Sequence, residues 1–223
     1  MPAGSNTRAS TTGEPTADRI LDAAERLVQT RGFNGFSYAD IASELDIKKP
    51  SIHHHFATKA LLGQRLLARY SDRFFDALHR IDRQRRDPRG KLASYAELYG
   101  RVLRNGSRMC LCGVLAAELP TLSRPLRDSV KAFFDENEAW VGALLSAGRA
   151  ARAFRFDGEP RVQARLVVSS LEGAMLVARA YGDPARFDAV ARRVVGSLDP
   201  PAREVRRIRP SRGRAPKPRA RRR

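Results

Sequence analysis

SYADIASELDIKKPSIHHHF, residues 37–56, reads as two short helices separated by a tight turn. Ser37 is an N-cap residue, and Asp40, three positions on, is the acidic partner of a capping box. Ile41, Ala42 and Leu45 then fall on one helical face. Asp46 is a poor helix-interior residue, so the first helix should stop there, with Ile47 tucked under the corner. Pro50 is tolerated only in a first turn, where its missing N–H had no partner to lose. That sets the start of the second helix near Lys48 or Lys49. This helix should bury Ile52 and Phe56 and expose Lys48, Lys49, Ser51 and most of His53, His54 and His55. A short basic helix braced across another seats a row of side chains in the major groove of duplex DNA.

The flanking segments extend the helical pattern. Residues 1–15 are polar and rich in Ser, Thr and Gly, which predicts a flexible arm. Between residues 16 and 31, Ile20, Ala24, Leu27 and Val28 share one face, and Gly32 stands where a left-handed residue would end the helix. Phe33 and Phe36 can close a small three-helix core, giving a DNA-binding unit over residues 16–62. Thr58 caps the next helix, with Lys59 in its first turn. Its apolar stripe runs from Leu61 to Ile81, so residues 63–87 form a connecting helix that outlasts any small DNA-binding unit. The run Asp87-Pro88-Arg89-Gly90 breaks it.

Residues 88–198 form a second helical domain. One amphipathic segment ends at Asn105-Gly106, a short apolar stretch runs from Cys110 to Leu119, and a long helix ends at Gly148. Residues 150–159 read as a loop, Pro160 opens another helix, and Asp183-Pro184 precedes the last. With no strand pattern and no repeat, the fold class is all-α. Residues 165–180 are apolar over most of the helix circumference and carry Ser169, Ser170, Gly173, Ala174 and Ala178, small enough for close approach of another helix. The last helix offers Phe187, Val190, Ala191 and Val194. These faces can pack within one chain or pair with a second copy in a twofold four-helix bundle. The two half-sites that a helix-turn-helix protein needs favour the homodimer.

The formal net charge is +18. Half of it lies in residues 199–223, where eleven Lys and Arg face only Asp199 and Glu204 among five prolines. This tail is expected to be disordered, serving solubility or clamping nucleic-acid phosphates without sequence preference. A non-specific nucleic-acid-binding protein is therefore a rival reading. The chain lacks a phosphate-cradling glycine loop, a nucleophile elbow and zincin-type histidine spacing, so those enzyme classes are excluded. His53, His54 and His55 diverge by about 100° per residue and cannot converge on one metal ion. No cofactor is implied. No apolar run is long enough to span a bilayer, and two cysteines do not make a disulfide scaffold, which suits a cytoplasmic protein.

Five motifs in order resemble the tetracycline-repressor (TetR) family of transcriptional regulators: Ile20-Leu21-Asp22-Ala23-Ala24, Arg31-Gly32-Phe33, Ser37-Tyr38-Ala39-Asp40-Ile41-Ala42, Ile52-His53-His54-His55-Phe56 and Lys59-Ala60-Leu61-Leu62. The resemblance implies a repressor released from operator DNA by a small-molecule effector. It implies phosphate contacts from Ser37, Tyr38 and Lys59, and groove or backbone contacts from Lys49, Ser51, His53 and His54. Lys48, Pro50, His55 and Thr58 complete the candidate DNA face. Lys48, Pro50, His53 and His55 depart from the family's frequent residues, so the operator sequence is not implied. The second domain would hold the effector among Tyr95, Tyr99, Met109, Leu115, Phe133, Phe134, Trp140, Glu172 and Met175, Glu172 being a lone carboxylate amid apolar residues. The segment from Cys110 to Glu118 resembles the electrophile-sensing branch that includes regulators of N-ethylmaleimide reductase. That implies a reactive Cys110, with Cys112 beside it, against the plainer reading of both as small core residues.

Overall fold

The structure, a computed structural model, describes residues 15–199; the N-terminal arm and the basic tail expected from the sequence lie outside them. Among the described residues there are nine α-helices and no strand. They are α1 (Thr16–Arg31), α2 (Tyr38–Leu45), α3 (Lys49–His55), α4 (Lys59–Gln84), α5 (Pro88–Arg104), α6 (Leu111–Ala117), α7 (Arg124–Ala150), α8 (Pro160–Ala180) and α9 (Pro184–Gly196). A 3₁₀ turn, Leu119–Thr121, follows α6.

Local signals set the N-terminal boundaries. The Ser37 hydroxyl accepts from the Ala39 N–H, and the Ser37 N–H donates to Asp40 Oδ2 at 2.8 Å, completing the capping box. Asp46 closes α2 in the left-handed region, at φ 52°. Pro50 lies in the first turn of α3, and Gly32 ends α1 at φ +91°, where a β-carbon would be strained. Thr58 Oγ1 caps α4 by accepting from the Leu61 N–H at 3.1 Å. Ile20, Ala24, Val28, Phe36, Ile41, Ile52 and Phe56 are buried together beneath α2 and α3.

Two boundaries differ from the sequence reading. Residues 87–90 do not simply interrupt the chain. Asp87 accepts the Gly90 N–H at 2.6 Å and caps α5, whose first residue is Pro88. Nor does α7 end at Gly148. It continues to Ala150, and Gly148 is an interior residue where a β-carbon would meet Phe154 Cδ2 at 2.1 Å. The glycine makes room for that ring, which folds the following loop back onto the helix.

The 26-residue α4 spans about 39 Å and belongs to both halves of the molecule. Its start closes the core under α2 and α3, while the remainder packs against α5 and α7. Charged residues fasten α4 to α1. Arg69 donates to Asp22 Oδ1 at 2.7 Å and to the Asp18 carbonyl, and Arg73 pairs with Glu25. The acids of α1 that periodicity leaves off its apolar face are therefore a docking stripe.

The terminal helices divide the residues expected at a dimer contact. Ala174, Ala178, Phe187 and Ala191 are buried inside the chain, so they are not available to a second copy. Phe187 fills the space beside Gly100, where a β-carbon would lie 3.2 Å from its ring. Ser169, Gly173 and Val190 are exposed, with Ser170 and Val194 half-buried. The exposed stripe of α8 also includes Val162, Leu166, Leu176 and Val177, apolar residues that sequence reasoning passed over.

Candidate nucleic-acid interface and effector cavity

The outer surface of α3 carries Lys48, Lys49, Pro50, His53, His54 and His55, all exposed; Ser51 is half-buried. Ser37 and Thr58 lie exposed at the starts of α2 and α4, with their hydroxyls engaged as caps. Two candidate contacts turn inward instead. Tyr38 is buried, and its hydroxyl donates to the Phe56 carbonyl at 2.8 Å, tying the start of α2 to the end of α3. The ring of His53 rests edge-on against it at 4.8 Å between centroids. Lys59 is half-buried, bonds the Phe36 carbonyl and lies 4.2 Å from the centre of the Phe36 ring. Burial pulls its ammonium below the ordinary lysine range. Both residues position the interface rather than offer it a free polar group. Replacing Tyr38 with Phe leaves the Phe56 carbonyl without its donor and should cost about 1–2 kcal/mol in thermal unfolding. An unchanged melting temperature would remove Tyr38 from this role.

A cavity of about 180 Å³ opens between α1, α4, α5 and α8. Tyr70, Phe74, Tyr99, Val102 and Met175 supply most of its apolar wall, Cys110 one side, and the Arg73–Glu25 pair its rim. Of the effector candidates, only Tyr99 and Met175 line it. Tyr95 lies deeper, closing a ring of hydrogen bonds: Tyr95 donates to Asn137 Oδ1 at 3.0 Å, Asn137 donates to the Tyr99 hydroxyl at 3.0 Å, and the two hydroxyls are 3.1 Å apart. Burial drives both tyrosine hydroxyls above their ordinary range, so they remain neutral donors. Trp140 stacks on Tyr95 and donates to Asp82 Oδ2 at 2.8 Å, a clasp between α7 and α4. Phe133 packs among Tyr70, Phe74 and Phe75, with Phe134 half-buried behind it. Leu115 is core, and Met109 is buried where its N–H bonds the Gln29 carbonyl at 3.1 Å.

The family model for bacterial regulatory proteins of the tetR family matches residues 20–65, and that for the tetracyclin repressor-like C-terminal domain matches residues 90–194. A solved TetR-family transcriptional regulator from Agrobacterium tumefaciens is 32% identical with a TM-score of 0.80, covering 82% of this chain and 97% of its own. The chain belongs to the TetR family. It is similar to the HTH-type transcriptional repressor NemR of Escherichia coli strain K12, 29% identical over 177 residues that cover 75% of this chain and 86% of NemR. The crystal structure of reduced E. coli NemR shares the fold at a TM-score of 0.72 and 24% identity, covering 84% of this chain and all of that one.

In this TetR-family chain the thiols sit at the N-terminal end of α6, both buried. Tyr70 donates to Cys110 Sγ at 3.7 Å. The Cys112 thiol, above all, stabilises the Cys110 thiolate and pulls Cys110 down to about 6 against its burial, helped by Glu172, the Gly113 N–H and Tyr70. Burial pushes Cys112 the other way, well above the ordinary thiol range. Asn137, Arg73 and Glu25 escaped the sequence reading. For Asn137 a signal exists: it interrupts the buried α7 stripe of Phe133, Val141 and Leu144 with one polar side chain. No helix among the described residues is long and apolar enough to cross a membrane.

Proposed function

We propose that this TetR-family regulator is a homodimeric repressor whose two α3 helices enter successive major-groove turns of an operator, and which lets go when a small molecule occupies the cavity beside Tyr99. The observation carrying this reading is the division of α3. Ile52 and the flanking Phe56 are fully committed to the core, while Lys48, Lys49 and the three histidines stand outward on a frame braced by the Tyr38–Phe56 bond. Groove side chains need such bracing to hold register. The exposed α8 stripe, with Val190 of α9, supplies the apolar surface for the second copy. A cavity of about 150 Å³ admits benzene, so the observed volume favours an effector near the size of one ring. Such a ligand meets the Arg73–Glu25 pair on its way in and displaces α6 and α8, whose Glu118 and Arg179 hold the end of α1 and the loop after it, shifting the helix pair that follows.

Lys49 tests the DNA face. If it pairs with phosphate, Lys49→Ala weakens binding about equally across operator variants and lowers the salt slope by about one. This is read by fluorescence anisotropy on duplexes selected from a random pool. A change confined to one base position would make Lys49 a base reader instead.

A second reading has its own support. Cys110 faces the cavity with its thiolate stabilised, so the signal can be covalent modification of that sulfur rather than reversible binding.

A further inference from the structure

We propose that Glu172 is the proton partner of Cys110: its carboxyl group takes up the thiol proton and delivers it to carbon when the sulfur adds to an activated alkene. This rests on the thiol reading above and narrows it to a class of electrophile.

Glu172 is half-buried on α8, beside buried Leu171, and lines a groove with Gly113, Val114 and Leu176 on the other side of Cys110 from the cavity beside Tyr99. Both its oxygens are buried, and the carboxyl lies beside the Cys110 thiol without a well-directed hydrogen bond to it or to any other described group. An unpartnered carboxylate at that depth is strongly disfavoured against the neutral carboxyl. The site is built to admit it. At Gly113 a β-carbon would fall 2.4 Å from Glu172 Oε2 and 3.7 Å from Cys110 Cβ, so a side chain at that position would expel the carboxyl from the turn that holds the thiol.

The other groups facing this cluster are Tyr70 from α4, Tyr95 and Tyr99 from α5, and Cys112 on α6, with the Arg73–Glu25 pair at the cavity rim and Arg31, Glu118 and Arg179 along the groove on the Glu172 side. Burial keeps the three tyrosines and Cys112 protonated. It also pushes the Glu172 carboxyl well above the carboxylate range, while Cys110 moves down to about 6. The two directions together favour the proton on Glu172 and the charge on sulfur.

That division suits one kind of reaction. The Cys110 sulfur lone pair forms a C–S bond to the β-carbon of an α,β-unsaturated carbonyl compound, and the alkene π pair moves to the α-carbon. The Glu172 O–H gives its proton to that carbon, leaving a carboxylate that water reprotonates. A reagent that expels halide needs no such proton, because the leaving group carries the electron pair away.

Acrylamide and iodoacetamide carry the same carboxamide, and only the first needs a proton at carbon. Their rates at Cys110 are followed by peptide mass spectrometry on the full-length protein near neutral pH. Glu172→Gln should slow acrylamide addition by about tenfold or more while iodoacetamide changes by less than about threefold, and Glu172→Asp should recover much of the acrylamide rate. In the wild type, acrylamide addition should fall relative to iodoacetamide as rising pH takes the proton from Glu172. Equal losses with both reagents, no loss with either, or no such relative decline overturns the proposal. The wild-type pH comparison decides alone if Glu172→Gln does not fold. A wild-type Cys110 inert to iodoacetamide overturns the thiol reading itself, and that failure shows before any variant is made.

Discussion

Leu166→Glu combined with Leu176→Glu should yield a folded monomer whose operator affinity is lower by at least about 100-fold. Both leucines are among the most exposed large apolar side chains described, at 59% and 62%, so neither substitution opens a hole in the chain's own core. They lie on the same α8 stripe as Val162, Ser169, Gly173 and Val177. At Gly173 nothing lies within 4 Å of where a β-carbon would be, which leaves room for a second helix to approach closely. A glutamate in such a contact must be desolvated without a partner, a cost that outweighs ordinary surface effects. The loss in DNA binding follows from linkage. Two joined half-site readers bind more tightly than either alone by roughly 10²–10⁴, with no new contact. Analytical ultracentrifugation gives the oligomeric state, and anisotropy on a selected duplex gives the affinity. A variant that stays dimeric would move the interface elsewhere, and a monomer with undiminished affinity would end the twofold reading.

Residues whose structure is decided locally were legible before any coordinates. Ser37, Asp40, Pro50 and Thr58 act within a turn of themselves, and each caps or opens the helix its residue type announces. The dimer candidates show where that logic stops. Helix α8 is apolar nearly all round, so periodicity could not say which side meets α9; Ala174 and Ala178 went to the interior, and Leu166 and Leu176 to the surface. The cavity was less legible still. Phe74 and Val102 come from two helices and Cys110 from the residue that opens a third, and only packing brings them together. Tyr95 and Trp140 were reasonable ligand contacts by residue type, yet Asn137 and Asp82 already occupy their polar atoms. The partners of Asp18, Asp22 and Glu25 are not legible from periodicity, because Arg69 and Arg73 stand more than forty residues away in sequence.

On the proposed reading the cavity signals to the DNA-binding helices through α6, so cutting the far end of that helix should silence it. Cys110, beside the cavity, stands at one end of seven residues of helix, and Glu118 at the other. Glu118 Oε2 accepts from the Asn34 N–H at 3.1 Å and from Asn34 Nδ2 at 3.3 Å, and Nδ2 also donates to Thr121 at 2.8 Å. The carboxyl reaches this loop because Gly32 has no side chain: a β-carbon there would meet Glu118 Oε1 at 2.3 Å. From α8, Arg179 donates to the carbonyls of Gln29 and Thr30 in the last turn of α1, the first of which also accepts the Met109 N–H. A displacement of α6 or α8 at the cavity thus pulls on the segment that leads into α2. Carbamidomethylating Cys110 places a group in the cavity whichever effector reading holds, and in the wild type it should lower operator affinity by about 5–150-fold, the usual span of a coupling energy. In the double variant Glu118→Ala, Arg179→Ala the same modification should change affinity by less than about threefold. The unmodified variant should remain folded and dimeric, because both side chains act at the surface of the domain junction. The two single variants complete a cycle that apportions the coupling between the contacts. A fully responsive double variant would place the transmission in α4 and its Arg73–Glu25 pair instead.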